Sequence, residues 1–379
     1  MAAFTFPKAL LRWVIVVAIA WLFMFLTSGQ WFVNWYLPMS FFLLMGSVTF
    51  GVIGLGWPLA VPGGSWKPGR NRWLTGIGMF IIWFAAALLF TAIETWIWPH
   101  MPLSGAPTAQ GVAGNFGSIF GIGVFMATLW YAFNGFNCRP FGPAKSWANW
   151  LLASIVILLM AGLFWIFAAN LNNTTGVDAI FNSHGKFIGG DWFALCVWII
   201  VFIQMFGGPM VFQGWPWYKL PKSLFPFVNT VWVVVLGYVF WKWIMPGVFP
   251  KSTTFTWAAI GASVIGWSLM SSIAFEFFPF AKMKQPMRGV GMFVVWQVIV
   301  PALWILLIRY AIGPAILTHL NNAFGGPAFD INLITAWFTL HVTALVLLVH
   351  NFFFMRAPWS IPGPPLGPEE IPGAPAPAK

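Results

Sequence analysis

The chain has 379 residues, of which 60% are hydrophobic and only 7% charged. Soluble domains carry roughly 25% charged residues, so water is excluded as its main solvent. The formal charge of +11 does not signal nucleic-acid binding, because the basic residues are scattered through short loops instead of massed on one face or tail.

In chain order, apolar runs broken by Gly, Pro and polar residues predict ten transmembrane helices, over 8–27, 36–56, 73–98, 116–136, 148–170, 191–213, 226–246, 255–276, 290–312 and 331–355. Each is near the roughly 20 residues that cross a bilayer as a helix. The first follows Lys8 and Arg12, as a secretory signal would, but no small-x-small cleavage site comes after it, so it reads as an uncleaved span. Beyond the tenth, residues 357–379 are Pro-rich and read as an extended cytoplasmic tail. The expected fold is an all-α integral membrane protein whose transmembrane domain occupies residues 1–356.

Ten spans put both termini on one side. The termini and the even-to-odd connections hold 14 of the 18 Lys and Arg, while the other face carries Asp178, Asp191 and Asp330. By the positive-inside rule the basic side is cytoplasmic, in a multi-pass protein of the inner membrane. Trp31, Trp35, Tyr36, Trp96, Trp98, Trp215, Trp217 and Tyr218 fall near helix ends, where amphipathic rings anchor at the headgroups, so most of the 27 Trp need no ligand. Cys138 and Cys196 are expected at a cytoplasmic turn and inside a helix, which precludes a disulfide between them. Gly117 and Gly121 mark a close helix approach.

Every even helix is followed by a related turn in which a first Pro, a large apolar residue and a second Pro recur. The first prolines are Pro58, Pro140, Pro216, Pro279 and Pro358, separated by 82, 76, 63 and 79 residues. That spacing predicts five helical hairpins repeated in the same orientation. Three residues before these prolines stand Leu55, Asn137, Gln213, Glu276 and Met355, so Asn137, Gln213 and Glu276 are candidates to line a cytoplasmic mouth. At the outer end, Glu94, Lys242 and Arg309 each precede a Pro by little more than a turn. Charges buried in hydrocarbon are costly and default to function or pairing, so Glu94 is expected to pair with Lys242 or Arg309, or to carry a proton beside them.

His341 and His350 are the histidines placed well inside a span. Nine residues at about 100° each put them on opposite faces of the last helix, so they do not share a metal or a haem. His350 and Asn351 near the inner end are candidates for proton relay or ligand binding. Gln204, Gln297, Asn134, Asn149 and Asn229 are expected to hydrogen-bond between helices.

No phosphate loop, H-E-x-x-H, cysteine cluster or dense group of carboxylates occurs, which argues against hydrolase and metal-transferase chemistry and implies no cofactor. The sequence therefore favours a permease for a small molecule, its partners being the bilayer and a homo-oligomer or membrane complex, not nucleic acid. The alternatives are a non-catalytic subunit of a larger assembly and an enzyme acting on a lipid or quinone.

Overall fold

Hydrocarbon offers no hydrogen-bonding partner, so a chain this apolar must satisfy its backbone internally, and helices do so segment by segment. The computed structural model describes residues 5–49, 71–97, 111–134, 146–168, 192–207, 210–221, 223–250 and 254–359, and among them it is helical with no strand. The helices are α1 (Phe6–Leu26), α2 (Gly29–Thr49), α3 (Arg72–Ile97), α4 (Gly111–Phe133), α5 (Ser146–Ala168), α6 (Trp192–Phe206), α7 (Phe225–Val248), α8 (Thr254–Ile273), α9 (Met287–Ala323) and α10 (Ile331–Phe352). Of these, α1, α2, α3, α7, α8, α9 and α10 are long and apolar enough to cross a membrane, and α4, α5 and α6 contribute shorter apolar stretches.

Two helices depart from their expected limits because of how proline is accommodated. The sequence reading starts the second helix at 36 and ends the ninth at 312. In the structure α2 starts at Gly29 and α9 runs on to Ala323. Proline removes one N–H and crowds the carbonyl four residues back. Here the residue before each interior proline reaches five residues back instead: Leu37 to Phe32, Met245 to Phe240, Val300 to Val295 and Gly313 to Ile308. These π-type turns widen the helix just where the ring needs room, so it passes through Pro38, Pro246, Pro301 and Pro314 unbroken. A further π stretch, Trp337–Ala344, contains no proline and holds His341.

The helices sort into an inner and an outer set. In α8 and α2, 89% and 83% of the most apolar window is buried, against 28% in α1 and 22% in α3 and α7. The inner helices contact one another in a closed cycle, α2 to α4 to α6 to α8 to α10 and back to α2. Each outer helix packs on the inner helix that precedes it in the chain, α3 on α2, α5 on α4, α7 on α6 and α9 on α8, and α1 completes the set on α10. Small residues permit these approaches: a Cβ at Gly121 would lie 2.1 Å from the Phe41 ring, which joins α4 to α2.

The turns that end α6, α8 and α10 share one backbone. Gln213 and Gly214 have φ of 50° and 78°, Glu276 and Phe277 of 50° and 61°, and Met355 and Arg356 of 48° and 61°. Each pair occupies the third and second places before the first proline of its turn. The N–H before the proline then donates to the carbonyl three back, Trp215 to Phe212 at 3.0 Å, Phe278 to Phe275 at 2.9 Å and Ala357 to Phe354 at 2.8 Å. Left-handed geometry costs roughly 1–2 kcal/mol per non-glycine residue, so the surrounding packing must impose it. The turns at Pro58 and Pro140 lie outside the described residues.

Tryptophan is not confined to helix ends. Trp267, Trp296 and Trp304 are buried and pack with Trp13 between α1, α8 and α9, with Trp13 and Trp304 5.3 Å and 5.7 Å from Trp267. Trp304 Nε1 donates to Thr339 Oγ1 at 2.8 Å and so ties α9 to α10. These rings fill a helix junction. At Gly237 of α7 a Cβ would meet the backbone nitrogen of Ile199 on α6 at 3.0 Å. Gly237→Val should therefore destabilise the protein by about 1–3 kcal/mol, read as a lower melting temperature in detergent. Gly247→Ala, which meets nothing within 4 Å, should leave it unchanged.

Candidate functional site

At the ends of α8 and α10 the last carbonyls have no partner within their own helix, and arginines from other elements serve them. Arg12, five residues beyond Pro7 on α1, donates from Nη2 to the carbonyls of Ile273 at 2.6 Å and Ala274 at 2.9 Å. Arg356, just past α10, donates from Nη2 to Ile273 O at 2.9 Å and from Nη1 to Glu276 Oε1 at 2.8 Å. Arg72, at the start of α3, donates from Nη1 to the carbonyls of Met355 and Trp359, both at 2.8 Å. Arg12 and Arg356 are buried. Burial pulls the Arg356 guanidinium below the usual arginine range, and the Glu276 carboxylate opposes that pull. These bonds lock the ends of α1, α3, α8 and α10 together on what we term the basic face.

Beside this cluster lies a cavity of about 420 Å³. Its walls come from α1, α2, α3 and α10 and from the chain at Ala357, Pro358 and Trp359. Along α1 the lining runs from Arg12 to Phe23, and along α3 from Trp73 to Phe84. At 1.5 Å per residue each is a length of about 16 Å, roughly one leaflet of hydrocarbon. Apolar side chains dominate the walls. The polar residues of the lining, Arg12 and His350 at the basic face and Tyr36 at the far end, turn almost no polar surface into it: Arg12 donates to Ile273 O and Ala274 O, His350 bonds to Ala357 O and Tyr36 donates to His341 O.

His350 is oriented by the turn it faces. Its Nε2 lies 3.0 Å from Ala357 O, which fixes the proton on that nitrogen, and its Nδ1 is buried with no partner among the described residues. The Trp359 ring stands edge-on to it at 5.3 Å. His341 faces α2. Ser40 Oγ on α2 donates to Leu37 O at 2.6 Å and lies 2.7 Å from His341 Nδ1, which makes the imidazole the donor in that contact. So His341 bonds to α2 while His350 lines a cavity that α2 also walls. The π stretch around His341 changes the angular count that the sequence reading used.

Glu94, Lys242 and Arg309 do not meet. Among the described residues the salt bridge is Arg356–Glu276. The Glu94 carboxylate is buried with neither oxygen partnered among the described residues, whereas Lys242 and Arg309 are exposed, Lys242 lying 5.6 Å over the Trp241 ring. The cause is the helix order: α3 packs on α2, while α7 and α9 pack on α6 and α8. Gln213 is buried at its turn and accepts from Gln285 Nε2 at 3.3 Å, and Asn351 is buried with no partner for its Oδ1 among the described residues. Asn137 lies outside the described residues. Of the other amides, Asn229 donates to Asn134 between α7 and α4, and Ser268 donates to Gln297 Oε1 at 2.8 Å between α8 and α9. Gln204 finds no partner for its amide among the described residues.

Sequence reasoning missed the part played by Arg12, Arg288 and Arg356, which it counted only as loop charges that set orientation. The available signal for Arg12 was its place inside an apolar run, Leu11-Arg12-Trp13-Val14. Comparison with protein-family models, with curated proteins and with solved structures finds no match.

Removing Arg356 strips Glu276 of its partner and Ile273 O of a donor. Arg356→Met should cost about 2–3 kcal/mol, measured as chemical or thermal unfolding in detergent. Adding Glu276→Gln should recover part of that loss, and a double variant as unstable as the sum of its singles would show that the pair does not couple.

Proposed function

We propose that the chain is a membrane carrier for a lipophilic, single-chain amphiphile, a permease loaded from the bilayer and not from water. The cavity between α1, α2, α3 and α10 carries this reading, being apolar along about one leaflet and closed at the basic face by Arg12 and His350. A route for a water-soluble solute through the inner helices has less support. Their buried hydroxyls largely donate to their own helices, as Ser47 to Leu44 O, Thr128 to Val124 O and Ser263 to Ala259 O. The junctions between them are filled by large rings such as Phe41, Tyr131, Trp198 and Phe338.

In this reading the chain crosses the inner membrane ten times as five parallel hairpins, with the basic face and both termini in the cytoplasm. The charge asymmetry of the sequence, the inner cycle and the shared turn backbone support it. Glu94, buried on the outer half of α3 without a donor among the described residues, is the group we assign to proton coupling.

The test uses the full chain in native-like vesicles with a photoreactive fatty acid. Labelled peptides should map to α1, α3 and α10, and Val349→Trp, which fills the cavity from α10, should lower labelling by about fivefold or more. Leu306→Trp on the exposed side of α9 should not. With a fluorescent fatty acid, the wild type should move the probe between leaflets faster than protein-free vesicles and Val349→Trp should not. Labelling that ignores Val349→Trp sinks the cavity assignment, and specific labelling without movement sinks the carrier.

A further inference from the structure

Arg12, Arg72 and Arg356 all spend donors on carbonyls or a carboxylate. Arg288 does not. It is 2% exposed, yet among the described residues its guanidinium makes no hydrogen bond and no ion pair, and its Nε and Nη2 are enclosed without an acceptor. The Phe277 ring lies 4.4 Å from its central carbon, an aromatic face that steadies a cation but accepts no conventional hydrogen bond. A buried guanidinium with five donors and no acceptor is strongly unfavourable unless an anion completes it.

The surroundings hold this side chain in place, and among the described residues none supplies its counter-charge. Arg288 lies in the first turn of α9, where two of the turns described above meet. Three residues earlier, Gln285 Nε2 donates to Val211 O at 3.1 Å in the turn after α6, and its Oε1 accepts from Gly289 N at 3.1 Å. A Cβ on Gly289 would lie 2.1 Å from the Phe212 ring, so the start of α9 is pressed against that turn. The carboxylate of the turn after α8, Glu276, is bound to Arg356 at 2.8 Å. The remaining formal charges between α8 and α9, Lys282 and Lys284, are positive and exposed. Flanking Arg288 along α9, Met287, Val290 and Val294 are exposed at 59%, 45% and 45%, as side chains facing lipid tails would be.

We propose that Arg288 anchors the phosphate of an anionic phospholipid, with the acyl chains lying along the Met287, Val290 and Val294 face of α9. Nη1, the guanidinium nitrogen outside the enclosed set, is where the phosphate oxygen would be met. The basic loop with Lys282 and Lys284 favours a headgroup of net negative charge over a zwitterionic one. The apolar face beside the guanidinium favours a lipid over a free anion. This site is distinct from the cavity between α1, α2, α3 and α10.

The experiment is native mass spectrometry of the full chain in mild detergent, titrated with phosphatidylglycerol or phosphatidylcholine. The wild type should hold one phosphatidylglycerol about tenfold more tightly than phosphatidylcholine, and millimolar inorganic phosphate should not displace it. Arg288→Gln should erase that preference and Arg288→Lys retain part of it. Lys8→Gln, which removes an exposed charge from the same face, should change little. Equal binding of the two lipids, an unchanged preference in Arg288→Gln, or displacement by phosphate each overturns the proposal. Should Arg288→Gln fail to fold, the wild-type lipid ratio and the phosphate competition decide alone.

Discussion

The structure depends on satisfying the last carbonyls of the inner helices without water. In a bilayer an unmatched carbonyl costs several kcal/mol. Here Ile273 O and Ala274 O are met by guanidinium groups from α1 and from beyond α10. Those bonds do more than cap α8. They bring the start of α1 and the end of α10 to the same point, and Arg72 adds the start of α3. Three helices thereby gather around the gap that becomes the cavity, so local capping and the candidate site are one arrangement.

The same constraint explains why the left-handed turns recur. Ending an inner helix with two residues of positive φ turns the chain sharply while its N–H groups still find carbonyls, as Phe277 N does with Ser271 O at 2.9 Å and Arg356 N with His350 O at 3.1 Å. The chain then leaves toward the next outer helix. Arginine suits the points where these turns meet because one planar group serves several acceptors at once. Arg288 has the same residue type at a similar junction with no acceptor among the described residues, and the proposal of an outside anion rests on that contrast.

Much of the helical membrane class was legible, because long apolar runs have few other readings. The proline motif was legible as a recurring turn, and in three described copies the backbone is the same. The start of α2 and the end of α9 were misread as 36 and 312, since a π turn upstream of proline leaves no mark in the residue pattern. The grouping of Glu94 with Lys242 and Arg309 came from sequence correspondence, but correspondence says nothing of which helices touch, and α3 stands in a different sector from α7 and α9. Arg12, Arg288 and Arg356 were counted by sign alone. Their burial depends on elements that the fold brings together, which for Arg12 and Ala274 means segments 262 residues apart.

The account rests on the closed cycle of inner helices, and the contact that closes it joins α2 to α10. Ser40 and His341 mark that contact, with Oγ and Nδ1 2.7 Å apart, whereas α2 and α8 are not neighbours in the cycle. The direct measurement is thiol cross-linking in membranes with a short bifunctional reagent, after Cys138→Ser and Cys196→Ala. Ser40→Cys with His341→Cys should link efficiently, and Ser40→Cys with Ser263→Cys should not. Linking of the second pair and not the first would contradict the cycle and, with it, the placement of the cavity.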